Sequence, residues 1–337
     1  MEDNRNFLSL RSLLLLITLP IFLIQCINDH AEEKTAGIVS DYGDLRFEGT
    51  YLLNEHNDTV SLEGMSMFWH QWGEGKDYYN YDCIKWLRDD WHCDVIRTAV
   101  AVEHGGYLEH PERTKKKIFR SIEDCIDLGI YVIVDWHSHS AENSTEKAIE
   151  FYSEVARRYG NSPNIIYEIY NEPLKVSWSN VVKPYLESVI NEIRKHDPDN
   201  IIIVGSPQWS QKVDEASEDP LEDINIAYTL HFYAGTHKQW LRDMAQVALD
   251  KDLPLWVTEF GLCNADGNGD IDYEESERWF EFMEQYKMSW CKWSVSHKEE
   301  TSSVLKPGAS HRGNWEPEDL TKSGKIIRDK LISVNPR

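Results

Sequence analysis

Basic residues are scarce in this chain of 337 residues, which has 35 Lys and Arg against 58 Asp and Glu. The formal net charge is −23. A surface this acidic repels polyanions, so we expect no nucleic-acid partner. The charge balance fits a protein that acts on a neutral substrate.

Cysteines are also few. The chain has five after Cys26, at wide and irregular spacing: Cys83, Cys93, Cys125, Cys263 and Cys291. An odd number at this spacing excludes a disulfide scaffold and matches no zinc-binding pattern. We therefore expect buried free thiols, no metal site and no cofactor.

Long hydrophobic runs are limited to Leu13–Ile24, whose 12 residues are too few to span a bilayer and are typical of a signal peptide. Leu23-Ile24-Gln25-Cys26 resembles a bacterial lipobox, although Gln25 replaces the usual small residue. Cys26 is then either a lipidated N-terminus or part of a discarded signal. The polar residues that follow favour lipidation, and with it a secreted or cell-surface, outer-membrane-anchored protein whose only membrane contact is the lipid at Cys26.

The domain prediction has three parts: a signal peptide over 1–26, a flexible tether over 27–44 and one domain over 45–337. In that domain Leu45–Leu62 reads as a β-hairpin that turns at Asn57-Asp58. Eight short apolar strands follow, near 62–66, 94–98, 130–135, 165–170, 201–205, 226–231, 254–259 and 289–294.

Helical stretches such as 114–128, 147–159 and 185–195 separate most of these strands. The alternation predicts an α/β fold, a TIM (β/α)8 barrel with a short N-terminal hairpin. A doubly wound open sheet is the competing fold. It is disfavoured because no Gly-rich dinucleotide turn follows an early strand.

Two predicted strands end in a glutamate. Ile165–Tyr170 leads into Asn171-Glu172-Pro173, and Leu255–Thr258 leads into Glu259. The two glutamates are 87 residues apart, about three strand–helix units of a typical barrel, so both belong at the same end. Glycoside hydrolysis needs such a pair, one carboxyl to protonate the leaving oxygen and one to attack or to activate water.

Other strand ends carry polar or aromatic side chains that would face the same cleft: Arg97, His137, His231, Tyr233 and Trp293. An arginine near one carboxylate would hold it ionised, as a nucleophile requires. A carboxyl without such a partner would stay protonated and act as the acid.

The motifs at these positions resemble those of glycoside hydrolase family five, subfamily two, the bacterial endo-β-1,4-glucanases. The resemblance runs from about Leu45 to Leu331. It rests on five motifs in order: Trp86–Trp91, Gly129–His137, Asn171–Pro173, His231–His237 and Leu305–Ser310.

The resemblance implies that Glu172 is the general acid/base and Glu259 the nucleophile. It makes Asn171 a partner of the sugar 2-hydroxyl, and Arg97 and Tyr233 the groups that orient Glu259. The remaining implied substrate contacts are His137 and His231 in the reacting subsite, Trp293 as its floor, Trp72 and Trp209 as platforms on the glycone and leaving-group sides, and Lys298, Glu300, Ala265 and Asp266 around distal glucose.

The chain departs from the family pattern at four positions near the cleft. Phe68 stands where a His is usual, Ala101 where a Tyr is usual, and Phe260 where a Trp is usual. The loop after His137 is short and carries a second histidine, His139. These departures affect the substrate subsites and leave the catalytic pair in place.

The segment Asn264–Glu275 resembles an EF-hand calcium loop, with oxygen donors at alternate positions, Gly269 at position 6 and Glu275 at position 12. No EF-hand helix pair surrounds it, so a solvated turn is the favoured interpretation.

Three functional hypotheses follow. The favoured one is a monomeric, retaining, endo-acting hydrolase of β-1,4-glucosidic bonds that binds β-glucan or cello-oligosaccharide. The second is a related glycoside hydrolase that is specific for mannan, xyloglucan or mixed-linkage glucan instead. The third, a non-catalytic glycan-binding barrel, is disfavoured because a pure binder does not need two opposed carboxylates.

Overall fold

The computed structural model describes Met1 and residues 37–337. Eight parallel strands form the sheet, as predicted, and each lies within a few residues of its predicted position. They run Glu63–Met67, Val95–Ala101, Tyr131–His137, Ile165–Glu168, Ile202–Val204, Ile226–Thr229, Leu255–Trp256 and Trp290–Val295, and are called strands 1 to 8 in that order.

The sheet is a closed barrel. Each strand pairs in parallel with its sequence neighbour from strand 1 to strand 7, and strand 8 pairs back onto strand 1. Between strands 7 and 8, Val257 donates to Ser289 O at 3.0 Å and accepts from Cys291 N at 2.8 Å. The fold is therefore the predicted TIM barrel, and the carboxyl ends of all eight strands meet at one face.

Helices cover the outside of the barrel. The longer ones are Tyr81–Asp89, Pro111–Leu128, Thr145–Tyr159, Lys183–Ile193, Gln239–Leu249, Tyr273–Gln285 and Lys322–Val334. Shorter elements are α-helical at Ile38–Tyr42 and Val213–Ala216, 3₁₀ at Lys76–Tyr78 and Ala141–Ser144, and a π-turn at Trp178–Val182. The predicted helices 114–128, 147–159 and 185–195 are confirmed to within a turn.

Local sequence explains the bounds of the helix after strand 2. It begins with Pro111, whose missing N–H is not needed in the first turn, and ends at Gly129, whose φ of 68° closes the helix in the left-handed conformation. Its buried residues recur at helical spacing and face the strands.

The two ends of the barrel interior differ in polarity. Near the amino ends of the strands, large apolar side chains such as Tyr131, Ile133, Ile166 and Trp256 fill the interior. Near the carboxyl ends the interior is polar and holds Arg97, Asp135 and Glu168, all fully buried. The apolar half supports the charged half, where the site lies.

The N-terminal segment closes the apolar end, and here two predictions are wrong in detail. The two-stranded hairpin pairs Arg46–Glu48 with Tyr51–Leu53 and turns at Gly49-Thr50, whereas Asn57-Asp58 lies in a second turn closed by a bridge between Leu53 and Thr59. Both Gly49-Thr50 and Asn57-Asp58 contain turn-forming residues, so the sequence alone did not show which of the two turns joins the paired strands.

The predicted tether extends too far. Its described part, residues 37–44, contains the helix Ile38–Tyr42, which packs under the barrel against the apolar cluster, and Val39 N donates to Gly129 O at 3.0 Å. Residues 27–36, the signal segment and Cys26 lie outside the described residues.

Interruptions in strands 6 and 7 open the site. After Thr229 and Trp256 the two strands separate, and they pair again only at Phe232–Tyr233 with Phe260–Gly261. His231 and Glu259 stand within these gaps, where regular pairing does not constrain them.

The cysteine prediction is confirmed within the described part of the chain: Cys83, Cys93, Cys125, Cys263 and Cys291 are free and buried. Among residues 37–337, no helix has both the length and the apolar character needed to cross a membrane.

Glu63 generates a prediction about stability. It is buried at the start of strand 1, and burial raises its pKa from 4.5 to about 8, with Ser61, Asp94 and Lys287 as its polar neighbours. The folded state therefore binds this proton more tightly than the unfolded state does. We expect the free energy of unfolding to fall as pH rises from about 4.5 through about 8.

Glu63→Gln should remove that part of the pH dependence, a few kcal/mol across the window at about 1.4 kcal/mol per pKa unit. Urea unfolding at pH 5 and pH 9 measures it. The matched control is Glu48→Gln at an exposed position on the hairpin. Parallel pH profiles for native protein and Glu63→Gln would contradict the expectation.

Candidate active site

The structure brings the two predicted catalytic glutamates together at the carboxyl end of the barrel. A carboxylate oxygen of Glu172, one of Glu259 and a ring nitrogen of His231 lie within 4.8 Å of one another. Retaining glycosidases hold their carboxyl groups about 5–5.5 Å apart, whereas inverting enzymes leave about 6.5–9.5 Å for a water molecule. The spacing here is that of a retaining pair.

Arg97 is the centre of the charged network. Its Nη1 is 3.1 Å from Glu259, its Nε is 2.6 Å from Glu168, and its Nη2 is 3.0 Å from Asp135. Nη2 also donates to Asn171 Oδ1 at 2.6 Å. One guanidinium thus fixes four acceptors contributed by strands 3, 4 and 7 and the segment after strand 4.

Glu259 is held from two sides. Arg97 binds Oε2, and the hydroxyl of Tyr233 donates to Oε1 at 2.9 Å. Burial, followed by the charge of Glu259, raises the pKa of Tyr233 well above its ordinary value, so the hydroxyl remains a donor. Each oxygen of Glu259 therefore has its own hydrogen-bond donor, which fixes the orientation of the carboxyl group.

Beneath the pair lies a second buried glutamate, Glu168. It accepts two bonds from Arg97 and one from the Thr258 hydroxyl at 2.7 Å. Burial raises the pKa of Glu168 and raises that of Asp135 to about 7. Because burial favours the protonated form of Glu168 and Asp135, Arg97 does not have to balance two full negative charges on these carboxyls.

Glu172 differs from the expectation of a carboxyl without partners. His231 Nδ1 is 2.8 Å from Oε1, and His139 Nε2 is 3.0 Å from Oε2. Burial alone would raise the pKa of Glu172, but the two imidazoles lower this pKa far below its ordinary value. The prediction was wrong on this point because sequence spacing does not reveal that a histidine two residues past strand 3 reaches Glu172.

His137 and Trp293 form the floor near Glu259. Their rings stack with centroids 5.0 Å apart and an interplanar angle of 6°, and His137 Nδ1 is 2.7 Å from Asp135. Burial lowers the pKa of His137 to about 3, so the ring is neutral. Trp293 is 6% exposed and packs with Phe68 and Tyr233 in the uppermost cluster of the barrel.

Asn171 has a free donor. Its Oδ1 is held by Arg97, while its buried Nδ2 has no partner among residues 37–337. A buried donor without a partner is costly, and a sugar hydroxyl in the cleft would satisfy it.

Trp209 lies on the Glu172 side, 37% exposed. It sits in a turn with positive φ at Gln208, Trp209 and Ser210. The turn is tied to the Glu172 segment, since Trp209 N donates to Pro173 O at 2.8 Å and Ser210 Oγ donates to Asn171 O at 2.7 Å. The turn therefore sets the position of the indole relative to the acid.

A pocket of about 320 Å³ separates Trp209 from Glu172. Its other walls are Gln211, His231, Tyr233, His237 and Ala265. The loop of Ala265 and Asp266 was predicted to border distal glucose together with Lys298 and Glu300. Ala265 lines this pocket beside Glu172, while Gly267 O, just after Asp266, accepts from Ser302 N at 3.0 Å.

Trp72 forms the platform on the other side. It is 37% exposed and stacks on Trp69 with centroids 4.5 Å apart. Lys298 pairs with Glu300 and lies 5.6 Å from the Phe68 ring centre. Trp72, predicted as the glycone-side platform, and Lys298, predicted near distal glucose, thus both lie against the Phe68 ring.

The calcium-like loop does not gather its donors around one centre. Asp272 caps the helix Tyr273–Gln285 and pairs with Lys238, and Glu275 pairs with Arg242 at 3.0 Å and with Arg278 at 3.2 Å. The solvated-turn interpretation fits this arrangement.

Sequence reasoning missed several residues of the site: Glu168, Asp135, Thr258, Trp69 and His237. Glu168 and Asp135 lie inside apolar strands. A charged residue in an otherwise apolar strand is unusual, and this could have identified both as candidate site residues. Trp69 was detectable as a second tryptophan three residues before Trp72.

Arg97 generates the prediction for this site. Arg97→Met leaves buried carboxyls without their cation, which costs about 3–5 kcal/mol of folding free energy near neutral pH. The carboxyl pKa values of the folded variant rise, so the stability lost at neutral pH should partly return on acidification. Urea unfolding at pH 5 and pH 8 measures this.

Arg242→Met is the matched control, because this buried arginine has Glu275 as its carboxylate partner away from the cleft. It should cost less and show little dependence on pH. An Arg97→Met protein as stable as the native one at pH 8 would refute the central role of Arg97.

Comparison with known proteins agrees with this geometry. Residues 53–299 match the family model described as cellulase, glycosyl hydrolase family 5. The chain is 49% identical over 276 residues to Endoglucanase Z of Dickeya dadantii, covering 81% of this chain and 63% of that protein. It is 45% identical over 280 residues to Endoglucanase A of Evansella cellulosilytica, covering 81% and 57%. This chain thus spans about three fifths of the length of these two relatives.

Solved structures give the same result. A structure from Cytophaga hutchinsonii superposes with a TM-score of 0.87 at 52% identity, covering 89% of this chain and 97% of that one. The catalytic domain of Thermobifida fusca endoglucanase Cel5A superposes with a TM-score of 0.84 at 33% identity, covering 88% and 99%. Barrel, catalytic pair and relatives agree, and the chain belongs to the cellulase family, glycosyl hydrolase family 5.

Proposed function

We propose that this protein is a retaining endo-β-1,4-glucanase that cleaves cellulose and related β-glucans. The observation that carries the proposal is the pair Glu172 and Glu259, with oxygens within 4.8 Å, in a site that also presents the partly exposed tryptophans Trp72 and Trp209. The names of the relatives support the substrate class, since each relative cited by name is an endoglucanase.

In the first step, a carboxylate oxygen of Glu259 attacks the anomeric carbon. The bond to the leaving oxygen breaks as Glu172 gives that oxygen a proton, and a glycosyl–Glu259 ester remains. Arg97 and Tyr233 hold Glu259 in one position, so little reorganisation is needed at the moment of attack.

In the second step, Glu172 acts as the base. It takes a proton from a water molecule that attacks the same carbon, which releases Glu259 and restores the original anomeric configuration. The free Nδ2 of Asn171 is available to the sugar 2-hydroxyl, where hydrogen bonds strengthen in the transition state.

Endo action is supported by two separate tryptophan surfaces. Trp209 borders the pocket beside Glu172, whereas Trp72 stacks on Trp69, whose ring meets His137 edge-on, so sugar rings can stack at more than one place along the cleft. A variant of the Thermobifida fusca domain has been solved with cellotetraose, which supports cello-oligosaccharide as the ligand class.

Glu259→Gln should lower turnover by about 10⁴-fold or more, because the amide keeps the shape but cannot form the glycosyl ester. Reducing-end release from soluble β-glucans and mannan measures turnover, and calorimetry with cellotetraose should still detect binding. Glu277→Gln, an exposed glutamate on the outer helix Tyr273–Gln285, is the matched control. Near-native turnover by Glu259→Gln would move the nucleophile elsewhere.

We also propose that the protein works outside the cytoplasm, with residues 1–25 removed and Cys26 lipidated. Support comes from the short apolar run, the cysteine at its end and the polar sequence after it. A cysteine with more than one acyl chain would anchor the barrel stably at a membrane surface.

Mass spectrometry of the mature N-terminus tests this proposal, and the expected product begins at an acylated Cys26. An unmodified terminus after Cys26 would mean free secretion. An intact Met1 would contradict export.

A further inference from the structure

Both carboxylate oxygens of Glu172 are occupied by imidazoles, although the reaction needs a proton there. We propose that His139 is a positioning residue that acts through Glu172. His139 holds the proton that Glu172 later delivers to the leaving group, and His139 exchanges this proton with solvent. This inference rests on the proposed glycosidase function.

The backbone around His139 is fixed. Ser138 O accepts from Glu172 N at 3.3 Å, the Ser138 hydroxyl donates to Glu103 at 2.7 Å, and the same hydroxyl oxygen accepts from Ser140 N at 3.0 Å. The imidazole is thereby held with Nε2 3.0 Å from Glu172 Oε2, while 46% of its side chain remains exposed. His139 thus joins the Glu172 carboxyl, which is only 14% exposed, to a more exposed imidazole.

His231, the other imidazole on Glu172, is not suited to this role. Its side chain is 2% exposed, and its Nε2 is 2.9 Å from Thr258 Oγ1. The Thr258 hydroxyl donates to Glu168, so its oxygen accepts and the Nε2 proton of His231 is committed. That leaves one proton to share between His231 Nδ1 and Glu172 Oε1, out of contact with solvent.

The groups that face His139 are mostly acidic. Glu103 lies in the loop after strand 2, and Asp135 and His137 belong to strand 3. Glu172 follows strand 4, and Glu259 follows strand 7. The hydrogen bond to Glu172 is the largest influence, and it raises the pKa of His139 above the ordinary 6.5 despite partial burial. Because the pKa of Glu172 is lowered and that of His139 is raised, a single proton shared by the pair rests on His139.

The proton count closes over one cycle. His139 Nε2 passes its proton to Glu172 Oε2, and Glu172 passes it to the leaving oxygen as Glu259 bonds to the anomeric carbon. In the second step the attacking water gives a proton to Glu172, which returns it to His139. Net hydrolysis consumes one water and leaves both residues as they began.

Kinetics with two aryl β-cellobiosides test the proposal. With the phenyl glycoside, whose leaving group needs protonation, His139→Gln should move the alkaline limb of kcat/KM down by about one pH unit, about a tenfold loss above that limb. With the 2,4-dinitrophenyl glycoside, which needs no protonation in the first step, kcat/KM of the variant should follow the native pH profile.

The control is His196→Gln. This histidine also faces a glutamate, with Nε2 3.8 Å from Glu192, but it lies just after the helix Lys183–Ile193, away from the cleft. It should leave both pH profiles unchanged. An unmoved alkaline limb in His139→Gln, or an equal loss on both glycosides at every pH, would overturn the proposal.

Nuclear magnetic resonance provides a readout that needs no turnover. The Cε1 proton of His139, assigned by its loss in His139→Gln, should titrate above pH 6.5 in the native protein and closer to 6.5 in Glu172→Gln. The same midpoint in both proteins would overturn the coupling. A protein that hydrolyses neither glycoside would refute the glycosidase function, while this titration would still decide the His139–Glu172 link.

Discussion

The site depends on one buried guanidinium. Arg97 is fully enclosed by the barrel, and its nitrogens reach Asp135, Glu168 and Glu259. A buried cation is costly by itself, and so are buried carboxylates, but together they satisfy one another. Because its partners come from strands 3, 4 and 7, the barrel must close correctly before the nucleophile is in place.

The barrel accommodates this charged cluster through the division of its interior. Tyr131, Ile133 and Trp256 pack the amino ends of the strands as an apolar layer that the N-terminal segment covers. The polar layer above can therefore be arranged for chemistry without being the main source of stability. Each fully buried side chain of the apolar layer contributes about 1.5–3 kcal/mol.

The sequence was most informative where local pattern and fold coincide. Apolar strands at a regular interval predicted the barrel, and strand ends predicted Glu172, Glu259 and Tyr233, because in a parallel barrel every strand end faces one cleft. Arg97 was also assigned to a strand end, but strand 2 continues to Ala101 and Arg97 is fully buried within it. Prediction failed where the outcome depends on contacts between distant segments. The turn at Gly49-Thr50 and the helix Ile38–Tyr42 both depend on packing beneath the barrel. The imidazoles on Glu172 come from two separate loops, and no sequence spacing encodes their distance.

The central claim is that Glu172 and Glu259 act as a retaining pair, and the configuration of the first product tests it most directly. Proton NMR of cellotetraose hydrolysis, recorded before mutarotation, distinguishes the two anomers at the new reducing end. Oxygens within 4.8 Å predict that the β-anomer forms first and the α-anomer grows in only later. Initial release of the α-anomer would mean inversion and would contradict the account.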